Sequence, residues 1–279
     1  MSQKTAEILQ QLESGVQSLL DSDTFQEYLK FLASFHSYSS RNSLLIFIQC
    51  QQRGITPSLC APYREWQKKH RHIRKGEKGI AIIAPHTYKS KKPDTDEESS
   101  KLGFHLAYTY DVSQTDPDDD AGEVPEICHR LTGTLADATL LGTLVAISPV
   151  PVSFKPIPSG ANGYFKADTL EIVVDNTHDE VQQAKTLIHE QAHAWHKSLD
   201  PDFDSCPKPD KEVIAEACAY TICNYLCIPS DDYSFGYLAG WGSKDQRELK
   251  KHLDLIRNIS DQIISDLEAA MDTTIEEAV

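Results

Sequence analysis

Apolar residues recur at helical spacing through the opening of the chain. Ile8, Leu9, Leu12, Val16, Leu19 and Leu20 fall three or four apart, which predicts an amphipathic helix over residues 6–20. Phe25, Tyr28, Leu29, Phe31 and Leu32 predict a second over 24–35, with Asp21 and Asp23 as cap candidates. A third runs through Leu44, Leu45, Phe47 and Ile48 over 40–52, and Arg53-Gly54 and Pro57 end it. The period then changes. Residues 79–84 form a short β-branched run bounded by Gly and Pro. Residues 103–112 alternate Phe104, Leu106 and Tyr108 with His105, Ala107 and Thr109. Both read as strands of one hairpin, with the charged, Ser-rich residues 90–101 as a mobile excursion between them.

Asp116-Pro117-Asp118-Asp119-Asp120-Ala121-Gly122 combines turn formers with like charges, the pattern of a linker. It divides the chain into a first domain, 1–116, a linker, 117–126, and a second domain, 127–279. The second domain reads as a helix over 125–144, strands over 150–155, 163–166 and 170–174, and helices over 178–198, 211–225 and 244–271. Helices, a small sheet, then helices make an α+β fold. The longest apolar run, 139–152, is interrupted by Gly142, Ser148, Pro149 and Pro151, so no membrane span is expected. The first fifteen residues lack the apolar core of a signal peptide, and a cytoplasmic location is expected. The seven cysteines include no C-x-x-C pair. They read as reduced, small hydrophobes rather than metal ligands or nucleophiles.

The net charge of −15 argues against a polyanion as partner only if the charge is evenly spread. Between Arg64 and Lys92 ten basic residues face only Glu65 and Glu77, a local charge of +8. A positive segment on an acidic body is either a solvated face or a footprint for a polyanion.

His189-Glu190-Gln191-Ala192-His193 carries the sharpest chemistry. On a helix, residues four apart share a face, so both imidazoles can reach one ion. Glu190 then stands where it can take a proton from a water held by that ion. Zinc at a catalytic site keeps three protein ligands and one open position. Glu212 and Glu216, four apart on the next helix, supply the third: Glu212 is favoured as ligand and Glu216 as hydrogen-bond partner of a ligand histidine, the reverse remaining open. His196 is a lesser candidate, and His178 reads as a loop residue. Tyr164, Tyr220, Tyr233 and Tyr237 are possible donors to a developing oxyanion. The edge of strands 163–166 and 170–174 could accept a peptide as an added strand.

Several stretches also resemble known families. Phe35-His36-Ser37-Tyr38-Ser39-Ser40-Arg41-Asn42-Ser43-Leu44-Leu45-Ile46, Gln49, Trp66 and Arg74-Lys75-Gly76-Glu77-Lys78-Gly79-Ile80 resemble the N-terminal domain of ArdC-type antirestriction proteins. Pro62-Tyr63 stands where that family usually has Gly-Tyr. The second half resembles zincin-like metallopeptidases of the ImmA/IrrE type, whose Glu-x-x-Ala-(Asp/Asn/Glu) helix matches at 211–220 and supports Glu212 as ligand. Tyr233-Ser234-Phe235-Gly236-Tyr237-Leu238-Ala239-Gly240-Trp241 is similar to the tail of an LtrC-like subgroup of mobile elements.

The resemblance implies a helical and β-hairpin domain that binds single-stranded DNA, joined to a zinc metallopeptidase-like domain acting on an unknown protein substrate. It also implies carriage by a mobile element and protection of incoming DNA. Tyr38 and Asn42, taken as one helical turn apart, would present a ring and an amide together. Trp66 would stack a base, and Lys68, Arg71, Arg74, Lys75 and Lys78 would hold phosphates. Either aromatic could instead be a core anchor. Two other functions fit the same residues: a non-catalytic DNA-binding protein with a structural zinc, and a regulatory metalloprotease that cuts a repressor.

Overall fold

The computed structural model describes residues 3–34, 38–92, 95–118, 140–230, 241 and 246–277. The chain forms two compact units, residues 1–17 with 41–125, and residues 18–40 with 126–279. Helix α1 (Gln3–Ser18) opens the first unit, and α2 (Ser22–Ser34) packs in the second. Asp21 caps α2 by accepting from the Thr24 backbone at 3.0 Å. Phe25, Tyr28 and Leu29 are fully buried, and the Phe25 ring meets Trp241 nearly edge-on at 6.1 Å. Periodicity assigns α2 an apolar face without saying which core receives it.

The first unit continues with α3 (Ser40–Gln52), β1 (Cys60–Pro62), α4 (Tyr63–Lys68), β2 (Arg71–Ile73), β3 (Ile80–Lys92), β4 (Thr95–Asp111) and β5 (Thr115–Pro117). Strands run in the order β1-β4-β3, and β2 pairs with β5. The predicted hairpin is present but longer than expected. Its antiparallel ladder runs from Ile80↔Thr109 to Lys92↔Thr95, through the charged stretch expected to be an excursion. Backbone pairing needs no apolar side chain, so polar composition does not end the strands.

On its other edge β3 is held by two amides of α3. Asn42 donates to the Ile83 carbonyl and accepts from the Ile83 N–H, both at 2.9 Å. Gln49 does the same with Ala81, at 2.8 and 2.9 Å. Seven residues apart, the two amides lie on one helix face and satisfy the strand groups that β4 does not reach. Buried Asp111 ties the end of β4 to a loop by accepting from Ser58 and Leu59 N–H groups at 2.8 and 3.2 Å.

The second unit contains α5 (Leu140–Ala146), β6 (Val152–Phe154), β7 (Gly163–Lys166), β8 (Glu171–Val174), α6 (Glu180–Leu199), α7 (Lys208–Tyr225) and α8 (Gln246–Glu277). The helix predicted over 125–144 and most of the linker fall largely outside the described residues. The remaining elements occur where the sequence places them, and the α+β class holds. In the sheet order β6-β8-β7, β8 is central, parallel to β6 and antiparallel to β7. Ile172, Val173 and Val174 of β8 are fully buried with Leu187 and Ile188 of α6. Asp179 caps α6 by accepting from the Gln182 N–H at 2.9 Å. Among the described residues no helix is long and apolar enough to cross a membrane.

Candidate functional site

Helix α6 carries His189, Glu190 and His193, and α7 carries Glu212 and Glu216. Glu212 Oε2 lies 3.5 Å from His189 Nε2 and 3.5 Å from His193 Nε2. The two imidazoles stand edge to face, 4.9 Å between centroids. Ligands about 2.1 Å from a tetrahedral ion are roughly 3.4 Å apart, so two nitrogens and a carboxylate at these separations fit a divalent metal. Glu216 Oε2 is 3.8 Å from His189 Nδ1, on the ring edge away from Glu212. That position suits a carboxylate that orients the ring rather than one that ligates.

The electrostatics are those of a ligand set. The two imidazoles hold the Glu212 carboxyl far below its ordinary range, so it is ionised. Burial opposes charge on His189, but Glu212, Glu190 and Glu216 together carry its pKa upward. Burial raises the pKa of Glu190 against the pull of His189 and His193, and the Phe165 backbone N–H donates to its carboxylate. Glu190 is therefore a buried carboxylate that lines one cleft with the two imidazoles.

That strand approaches unusually closely at Gly163. A Cβ there would lie 2.5 Å from Thr186 Cγ2 and 2.9 Å from the Val173 carbonyl oxygen, so only glycine fits. A cleft of about 430 Å³ opens beside it, lined by Tyr164, Phe165, Glu190, His193, Lys211 and Glu212 among others. Of the four phenols considered as oxyanion donors, Tyr164 lines this cleft. Tyr220 is buried, and Tyr233 and Tyr237 lie outside the described residues. Neither the Phe165 N–H nor Gly163 is legible as a site residue in the sequence. A glycine at a strand start is a general sign of close backbone approach, but nothing in the spacing relates it to Glu190.

His196 does not join the metal group. Its Nε2 is 3.4 Å from Asp200 Oδ2, and its ring meets Phe203 edge-on at 4.9 Å.

The residues expected to touch DNA divide sharply. Trp66 is fully buried and donates through Nε1 to the Tyr110 carbonyl at 2.9 Å. It anchors the core and cannot stack a base. The Asn42 amide is committed to Ile83. Tyr38 precedes α3, which begins at Ser40, so Tyr38 and Asn42 do not form the helical pair expected. Arg71 donates to Thr115 Oγ1 at 2.8 Å, and Arg74 pairs with Glu77 at 3.0 Å and Asp116 at 3.6 Å. Lys68 pairs with Glu65 at 2.8 Å while remaining largely exposed. Lys75 and Lys78 are exposed. Two aromatic rings, Tyr63 and Tyr108, are about half exposed. The sequence marks Tyr108 only as a strand residue, because alternation does not say which face of a sheet is open.

Comparison with known proteins matches two families to separate stretches of the chain. Residues 1–115 match the family described as the N-terminal domain of anti-restriction factor ArdC. Residues 147–254 match the IrrE N-terminal-like domain of the Peptidase_M78 family. An uncharacterized protein of Bacillus anthracis is 23% identical over 92% of this chain, which spans only 50% of that protein's length. The fold is similar to the metal-free crystal structure of the antirestriction ArdC protein from R388 plasmid, with a TM-score of 0.57 and 21% identity over 83% of this chain and 86% of that one. The Mn(II)-bound structure of that protein matches with a TM-score of 0.54 and 20% identity, over 82% and 85% of the two chains.

Proposed function

Because this chain joins an ArdC-type N-terminal domain to an IrrE-like Peptidase_M78 domain, we propose that it is a single-stranded-DNA-binding, metallopeptidase-like protein that protects incoming DNA of a mobile element. The observation that carries the hydrolytic half is Glu190, buried and lining one cleft with two imidazoles and the ionised Glu212 carboxylate. His189, His193 and Glu212 would hold the ion, zinc on this reading, with Glu216 orienting His189. When bound, such an ion lowers the pKa of water and polarises a carbonyl.

The chain's own groups supply the rest. Glu190 takes the proton from the attacking water on a carboxylate oxygen and passes it to the leaving amine. Phe165 lines the same cleft as that carboxylate. β7, unpaired on its outer side among the described residues, can accept an extended peptide as a further strand. Tyr164 is the described phenol available to a developing oxyanion.

For the DNA half, exposed Lys75 and Lys78 with the half-exposed rings of Tyr63 and Tyr108 support binding through phosphates and stacking, without sequence preference. Location in the cytoplasm, where such DNA arrives, belongs to the same proposal.

Two variants of the full chain separate the halves. Glu190→Gln should retain metal and single-strand binding while losing protein cleavage. Lys75→Ala combined with Lys78→Ala should weaken single-strand binding and lower the salt slope by about 0.7 for each phosphate no longer neutralised. Protection of DNA in cells that survives Glu190→Gln undiminished would show that proteolysis is not what protects. Binding unaffected by the lysine changes would remove the DNA footprint proposed here.

A further inference from the structure

Cys206, Asp210 and His252 converge on the opposite side of α7. Each offers one ligand atom, and these atoms lie within 4.8 Å of one another. Asp210 is 5% exposed and His252 4% exposed, whereas Cys206 is half-buried. We propose that these three residues form a second metal site, which takes a thiophilic divalent cation of the zinc class.

The donor chemistry selects the ion. One thiolate, one imidazole and one carboxylate form a mixed S, N, O set that suits zinc, whereas magnesium and calcium take oxygen ligands. Three protein donors leave a fourth position to water. Two of the ligands are already seated. The Trp241 indole N–H donates to Asp210 Oδ1 at 3.1 Å, and the His252 ring lies against the Trp241 ring at 4.8 Å with a tilt of 43°. One buried tryptophan, itself 2% exposed, thus orients both the carboxylate and the imidazole, as supporting groups around metal ligands do. In a tetrahedral site the donors would stand roughly 3.5–4 Å apart. The donor atoms already lie within 4.8 Å of one another, and Cys206 sits between a short 3₁₀ turn (Phe203–Ser205) and the start of α7.

The site is separate from the one on α6. Residues two apart on a helix leave it about 200° apart, so Asp210 and Glu212 project from opposite faces of α7. Glu212 meets the histidines of α6, and Asp210 meets His252 of α8. An ion held by the second group would pin the first turn of α7 to α8, directly behind Glu212. Its function is therefore to fix the helix that supplies the third ligand of the other centre. The proposal does not depend on peptidase activity or on DNA binding.

Cobalt titration of the chelator-stripped full chain tests it. The His189, His193, Glu212 group contains no sulfur, so a thiolate-to-cobalt charge-transfer band in the near ultraviolet reports only a cysteine-containing site. We expect two equivalents of cobalt per chain, with that band present. Cys206→Ser, a conservative change at a half-buried position, should abolish the band and one equivalent. His193→Ala should remove the other equivalent and leave the band. No band in the unaltered chain, or a band that survives Cys206→Ser, would overturn the second site, whereas one equivalent that carries the band would count against the α6 group alone.

Discussion

His196 shows how an imidazole one turn beyond a metal-binding pair is kept out of its chemistry. The side chain is 1% exposed, and burial outweighs the nearby Asp200 carboxylate, taking its pKa down to about 4. It is neutral in the folded protein at pH values where the unfolded chain, titrating near 6.5, already takes up a proton. The sign follows: above about pH 6.5 His196 contributes nothing to pH dependence, and between about 6.5 and 4 acidification favours the unfolded chain. On chelator-treated protein, replacement by Phe should flatten the fall in stability across that window by something on the order of 2 kcal/mol once residual screening is allowed for. Equal slopes for the two proteins in urea titrations at several pH values would contradict this. The same scale marks the limit of reading residues from sequence. His189, Glu190 and His193 are legible because helical geometry converts a spacing of four into a shared face. Cys206, Asp210 and His252 are not, because 42 residues separate the last two and no local period relates them. The resemblance implies that Trp66 and Asn42 meet DNA, with a core-anchor role left open for Trp66, and hydrogen bonds to Tyr110 and Ile83 give both a place in the scaffold.

At the scale of elements, the edge strand and α6 form one device. Gly163 lets β7 come against α6, and two residues later Phe165 lines the cleft together with Glu190. Gly163→Ala should cost about 1–3 kcal/mol, the usual range for overpacking, seen as a lower urea midpoint. Adding Thr186→Ser removes the methyl 2.5 Å from the new Cβ while keeping the hydroxyl that donates to the Gln182 carbonyl at 2.8 Å. Part of the loss should return, and no recovery would show that the Val173 carbonyl alone sets the constraint. Most elements of both units are readable from apolar period, caps and Gly/Pro punctuation. Two features are not. The ladder of β3 and β4 continues through polar residues, since backbone pairing is blind to side-chain polarity. Helix α2 packs with the second unit, because an amphipathic pattern specifies a buried face and not its partner.

At the scale of the whole molecule, charge and metal chemistry are segregated. The chain is acidic overall at −15, yet residues 64–92 carry a local excess of ten basic groups over two acidic ones. These belong to the first unit, and every donor of both metal groups belongs to the second. The proposed function assigns polyanion binding to the first unit and hydrolysis to the second. The central claim is that α6 and α7 bring His189, His193 and Glu212 around a divalent ion. Its most direct test is zinc competition against a chromophoric chelator, using the full chain with Cys206→Ser so that only the sulfur-free site is read. Glu212→Ala in that background should weaken zinc binding at least about tenfold, since even a supporting group of a metal site is worth 10–100-fold, while Lys208→Ala should leave it unchanged. Equal zinc affinity with and without Glu212 would contradict the account.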